Sequence, residues 1–222
     1  GAIPVPCPSL LAWGAPRVEA ASARLLVAGP ESEQDVMEYR RLGNSDLRVS
    51  AVGLGCTSFG DQVWEEGVLD EAASVAVVHE ALDQGITLFD TAESYGKGLS
   101  EEYLGRALGA RRPDVIIATK FGHWRGVPDS RIGGSRDYIL QAVEGSLRRL
   151  GTDYIDLYQL HNPRLDTIEK DDVFETLDEL ITEGKLRHYA VALGPDIGWF
   201  EEGEASMRER KSPALQIIYS IM

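Results

Sequence analysis

From residue 39 onward, short apolar runs alternate with longer segments that carry helical spacing, and this alternation limits the chain to few architectures. The runs cover 52–55, 86–90, 115–120, 155–161, 186–193 and 215–219, so their starts lie 29–40 residues apart. Each interval has room for one strand, one helix and the turns between them. The runs are short, in part β-branched or aromatic, and mostly apolar on both faces, as buried parallel strands are. Repeated β/α units of this kind build either an open doubly wound sheet or a (β/α)8 barrel.

The helical segments supply their own start and stop signals. Over 71–84, Ala72, Val75, Val78, Ala81 and Leu82 fall on one face, and Gly85 follows. Ser100 precedes Glu101 and Glu102 and reads as the N-cap of a helix that stops before Gly109. Over 135–150 the stripe is Ile139, Leu140, Val143, Leu147 and Leu150, with Arg148 and Arg149 in the last turn and Gly151 as the stop. Further helices are predicted over 171–183, before Gly184, and more weakly over 196–210, where Gly198 and Gly203 interrupt. Ahead of them, 39–42 and 47–50 flank Gly43-Asn44-Ser45-Asp46, turn chemistry that predicts a short hairpin. Residues 1–36, rich in Pro, Ala and Gly without a sustained period, read as a flexible or non-native extension; 37–222 read as the folded unit.

Charge and cysteine content narrow the function classes. Asp plus Glu outnumber Lys plus Arg by 36 to 22, a net charge of −14, which argues against a nucleic-acid partner. Two cysteines, Cys7 and Cys56, are too few for a disulfide framework, so a reducing cytoplasm is the expectation. No uncharged apolar run approaches the ~20 residues of a membrane helix. The stretch 3–23 lacks a basic start and is broken by Pro4, Pro6, Pro8 and Pro16, so it is not read as a secretory signal. Four histidines without close pairing offer no metal site.

In β/α architectures the working residues gather at the carboxyl ends of strands. Those ends here read Phe89-Asp90-Thr91-Ala92-Glu93-Ser94-Tyr95-Gly96, Ala118-Thr119-Lys120, and Gln159-Leu160-His161-Asn162-Pro163. An acid, a phenol, an amine and an imidazole therefore share one rim. Singly, each has an ordinary role as a cap, a solvated charge or a turn residue; together they make an acid catalyst. A free phenol holds its proton too tightly to be an ideal donor at neutral pH, and a neighbouring ammonium favours the phenolate. A carboxylate keeps that ammonium charged, and an imidazole can hydrogen-bond a carbonyl oxygen.

This ordered set resembles the aldo-keto reductase family, NADPH-dependent (β/α)8 barrels that reduce carbonyls. Arg40-Arg41-Leu42-Gly43 followed by Val52-Gly53-Leu54-Gly55 resembles the family's opening, and the Asp-Tyr, Thr119-Lys120 and Leu160-His161-Asn162-Pro163 motifs follow in order. The resemblance covers about Met37 to the end and selects the barrel over the open sheet. It implies Tyr95 as general acid, Lys120 and Asp90 as its tuning partners, and His161 as the group that orients an aldehyde or ketone. On the cofactor side it points to Gly55, Cys56, Asp90 and Gln216, with NADPH as cofactor and NADH as the alternative. Trp64, Phe121 and Trp124, on loops just after strand ends, are the substrate-pocket candidates. One departure stands out: Ala192-Leu193 occupies the place of a Ser-Asn pair that holds the nicotinamide carboxamide.

Six strand–helix units are present where a closed barrel needs eight. The expectation is thus a partial barrel, a fragment or truncated product with weakened cofactor binding, whose unpaired edges offer a route to oligomers. Two rival readings are a Schiff-base lyase or aldolase that uses Lys120, and a non-catalytic cofactor-binding or scaffold paralogue.

Overall fold

The computed structural model describes residues 37–60, 68–123, 134–194, 199–210 and 212–218. The expectations for residues 1–36, Trp64 and Trp124 lie outside these residues. A two-stranded antiparallel hairpin comes first, β1 (Tyr39–Arg41) and β2 (Arg48–Ser50), with Gly43 at φ +54 in its turn. The remaining strands are β3 (Gly53–Gly55), β4 (Leu88–Asp90), β5 (Ile116–Phe121), β6 (Ile155–His161), β7 (Leu186–Ala192) and β8 (Leu215–Gln216). They form one parallel sheet in sequence order. The helices are α1 (Glu71–Asp83), α2 (Leu99–Leu108), α3 (Arg136–Leu150), α4 (Leu165–Ile168), α5 (Asp171–Thr182) and α6 (Phe200–Arg208).

The sheet is strongly curled. Between β4 and β8 lie four inter-strand spacings, about 19 Å if the sheet were flat. Yet Gln216 Nε2 donates to Asp90 Oδ2 across the concave face at 3.2 Å. This is the curvature of an incomplete (β/α)8-type barrel, with β3 and β8 as its two edges among the described residues.

Strand alternation divides the core in two. Phe89, Ile117, Tyr158 and Val191 point outward and pack under the helices with Leu104, Val143, Leu147, Leu177 and Leu180. Ile116, Ala118, Leu157 and Ala190 point inward and meet Leu47 and Val49 of the hairpin. The hairpin therefore stoppers the amino-terminal end of the curled sheet. Its turn is held by Asp46, which accepts from His188 Nε2 at 2.6 Å and Arg187 Nη2 at 3.2 Å. Behind it, buried Asp156 takes Arg112 Nη2 at 2.8 Å, Arg187 Nη1 at 2.9 Å and the Ile117 amide at 3.0 Å. These bonds tie β5, β6 and β7 to the segment before β5.

Several local expectations need correction. Ser100 is not an N-cap: the helix starts at Leu99 after Gly98, and the Ser100 hydroxyl is buried against Cys56 O and Thr91 Oγ1, both at 2.8 Å. Ala72 is exposed at the start of α1, while Val78, Ala81 and Leu82 are buried as expected. The last helix is shorter than predicted, Phe200–Arg208. Helix α4 and the 3-10 turns Tyr95–Gly98 and Gly109–Asp114 are too short to leave a periodic signal. Ser135 caps α3 by accepting from Tyr138 N, and Gly151 closes it at φ +65, as the sequence predicts.

Candidate active site

The rim residues owe their places to backbone bonds that continue the sheet past its strands. Thr91 N donates to Ala118 O at 2.8 Å and Glu93 N to Lys120 O at 3.1 Å. The chain then turns through Gly96, Lys97 and Gly98, all at positive φ. Gly96 is required twice over, since a Cβ there would also lie 2.9 Å from Phe59 O. This turn swings Tyr95 back over the mouth of the curled sheet.

The four predicted groups converge. Lys120 Nζ, with a side chain only 2% exposed, donates to Asp90 Oδ2 at 2.7 Å, Thr91 O at 2.9 Å and Tyr95 Oη at 3.3 Å. The ring of Tyr95 meets His161 edge-on, with centroids 5.9 Å apart. Burial alone would lower the Lys120 ammonium, but the charge of Asp90 and the contacts with Tyr95 outweigh it and hold it above its ordinary value. For His161, burial first, then the charges of Lys120 and His123, push the imidazole well below its ordinary value, so it is neutral at pH 7. His161 Nδ1 and Asp90 Oδ1 are buried without a hydrogen-bond partner among the described residues.

Gln216 joins this cluster through Asp90, and its Oε1 accepts from buried Gln159 Nε2 at 3.0 Å. A hydrogen-bonded chain therefore runs Gln159–Gln216–Asp90–Lys120–Tyr95. Gly55 pairs with Asp90 in register, and a Cβ built on it would meet nothing within 4 Å among the described residues, which leave open space beside the acid. Cys56 differs. Its thiol is fully buried and pushed up by burial, its amide donates to Asp90 O at 2.8 Å, and its carbonyl accepts from Ser100. Both of its backbone polar groups already have partners.

Phe121 is corrected as a pocket residue. Strand β5 extends to Phe121, one residue past the predicted end, so alternation sends its ring to the side opposite Lys120. There it stacks on Tyr158 with centroids 4.5 Å apart and is 1% exposed. Ala192 and Leu193 are buried and bring no polar side chain to the end of β7. Sequence reasoning missed three residues at this rim: Gln159, His123, whose ring lies 5.1 Å from that of His161, and Glu93. Gln159 was findable, because it sits two residues before His161 and shares its face.

The family model for the Aldo/keto reductase family matches residues 51–222. The chain belongs to the aldo/keto reductase family. It is 42% identical over 163 residues to an uncharacterized oxidoreductase, YqkF, of Bacillus subtilis, covering 70% of this chain and 49% of that protein. It is 41% identical over 159 residues to aldo-keto reductase YhdN of the same organism, with 70% and 47% covered. Among solved structures, the holo form of aldo-keto reductase AKR11C1 from Bacillus halodurans superposes with a TM-score of 0.68 at 38% identity, covering 84% of this chain and 59% of that one. The chain spans about half the length of the curated relatives it matches.

Proposed function

We propose that this aldo/keto reductase family chain carries the proton-donating centre of an NADPH-dependent reductase of aldehydes or ketones, with NADH as the alternative cofactor. The observation that carries the reading is the contact of Tyr95 Oη with the charged, triply bonded Lys120 Nζ, beside a neutral His161. His161 orients the carbonyl oxygen by hydrogen bonding. Tyr95 gives its phenolic proton to that oxygen as it becomes an alcohol, and the Lys120 ammonium stabilises the phenolate left behind. Asp90 keeps the ammonium in place. When bound, a reduced nicotinamide supplies the hydride. The free Oδ1 of Asp90, the amide of Gln216 and the open space at Gly55 fit such a ring at this end. Ala192 and Leu193 add no hydrogen bond, so binding of the cofactor is expected to be weak.

The Schiff-base alternative fails on Lys120. Attack on a carbonyl needs a neutral amine, whereas this one is held charged with all three donors engaged. The test is NADPH consumption with a panel of aldehydes, alongside NADPH fluorescence titration. Tyr95→Phe should cut turnover by about 10²–10⁴-fold while leaving the titration unchanged. Turnover equal to that of the native chain would refute the role of Tyr95; tight stoichiometric NADPH binding would refute the weak-binding expectation.

A further inference from the structure

Glu93 is a carboxyl in an unexpected place. It is 3% exposed, lies three residues past Asp90, and makes no ion pair among the described residues. Nearby Arg149 spends its Nε on Glu101 instead. Burying a carboxylate without a cation is costly, and an apolar residue of similar size would pack there at lower cost. Its two acceptor contacts explain its presence. Glu93 Oε1 accepts from the Gly122 amide at 2.9 Å and from the Tyr138 hydroxyl of α3. Its own amide has already continued the ladder onto Lys120 O. The carboxyl thus takes the next donor along, the Gly122 amide. Gly122 stands at φ +97, the bend between Phe121 and His123.

We infer that Glu93 is a positioning residue: its carboxyl fixes the bend after β5 and so holds the ring of His123 against His161. The catalytic meaning of this contact rests on the reductase reading above, in which His161 orients the substrate. Among the described residues, Glu93 faces Tyr138 and Arg149 of α3, Glu101 of α2 and Tyr158 of β6; His161 faces Lys120, His123 and Tyr95. Burial pushes the Glu93 carboxyl up, which the Tyr138 and Gly122 bonds partly offset.

The test is NMR titration of the His123 and His161 imidazoles in the full chain. Glu93→Ala releases the Gly122 amide, so both sets of imidazole signals should move, and the His161 midpoint should rise as burial and the His123 charge relax. Glu93→Gln keeps an oxygen for Gly122 and should restore curves close to native. Tyr138→Phe should move them in the same direction as Glu93→Ala, but less. A folded Glu93→Ala chain with native curves would overturn the inference, as would Gln behaving like Ala. Should Glu93→Ala not fold, native curves in Tyr138→Phe overturn it. Imidazole titration needs no turnover, so an inert chain showing these shifts would sink the reductase reading and leave the role of Glu93 standing.

Discussion

Lys120 spends all three of its protons on fixed partners, and this specifies the side chain closely. A guanidinium is planar and cannot aim donors at Asp90, Thr91 O and Tyr95 from one atom. Lys120→Arg is therefore expected to fail as a replacement, with turnover down by at least about 10²-fold in the aldehyde assay. Cys56 gives a second residue-scale expectation: buried and with its thiol pushed up, it should resist iodoacetamide at pH 8 in the folded chain and react in urea, as peptide mass spectrometry would show. The convergence of Asp90, Tyr95, Lys120 and His161 was legible in the sequence, because each falls at or just after the end of an apolar run. Phe121 was misread because one more residue of strand reverses the side a ring faces. Ser100 was misread because a hydroxyl near a helix start has the same local signature whether it caps the helix or bonds buried atoms across the core. Glu93 carried no signal at all, since its partners Gly122 and Tyr138 lie 29 and 45 residues away.

Among the elements, β6 and the hairpin bear the clearest structural demands. Asp156 on β6 is buried with two arginines, one of them Arg112, itself 8% exposed. Asp156→Ala would strand that guanidinium and should cost about 3–5 kcal/mol in a urea unfolding curve. Leu47 fills the interior end of the sheet at 1% exposure, and Leu47→Ala should cost about 2–5 kcal/mol. Asp46, in the hairpin turn, is lowered first by the His188 bond and then by Arg187, against an opposing effect of burial. A carboxyl lowered in the folded state stabilises the fold above the ordinary carboxylate range and loses that contribution as pH falls through its lowered value. Since its side chain is 70% exposed, the effect is small, and Asp46→Asn should only flatten the acid limb of a stability–pH curve. The hairpin itself was readable from its turn residues, but its task was not: that Leu47 and Val49 meet Ile116 and Ala190 depends on the curl of strands far along the chain.

Across residues 37–222 the repeat of β/α units announced the architecture, while the curl appears only in the tertiary bond from Gln216 to Asp90. Strands β3 and β8 each lack a neighbour on one side among the described residues, and Phe200, Met207, Ile217 and Ile218 stand exposed near β8. Exposed edges and apolar side chains favour self-association, whereas a net charge of −14 opposes it. Sedimentation velocity should therefore show concentration-dependent association that strengthens with added salt; one monomeric species at every concentration and salt level would contradict this. Finally, Leu47 and Val49 close the amino-terminal end of the curled sheet, opposite the rim where Tyr95 and His161 meet. A small molecule that reaches Tyr95 and His161 therefore does not enter through the hairpin end. Amide exchange along β5 and β6 should accordingly advance from the mouth toward the sealed end.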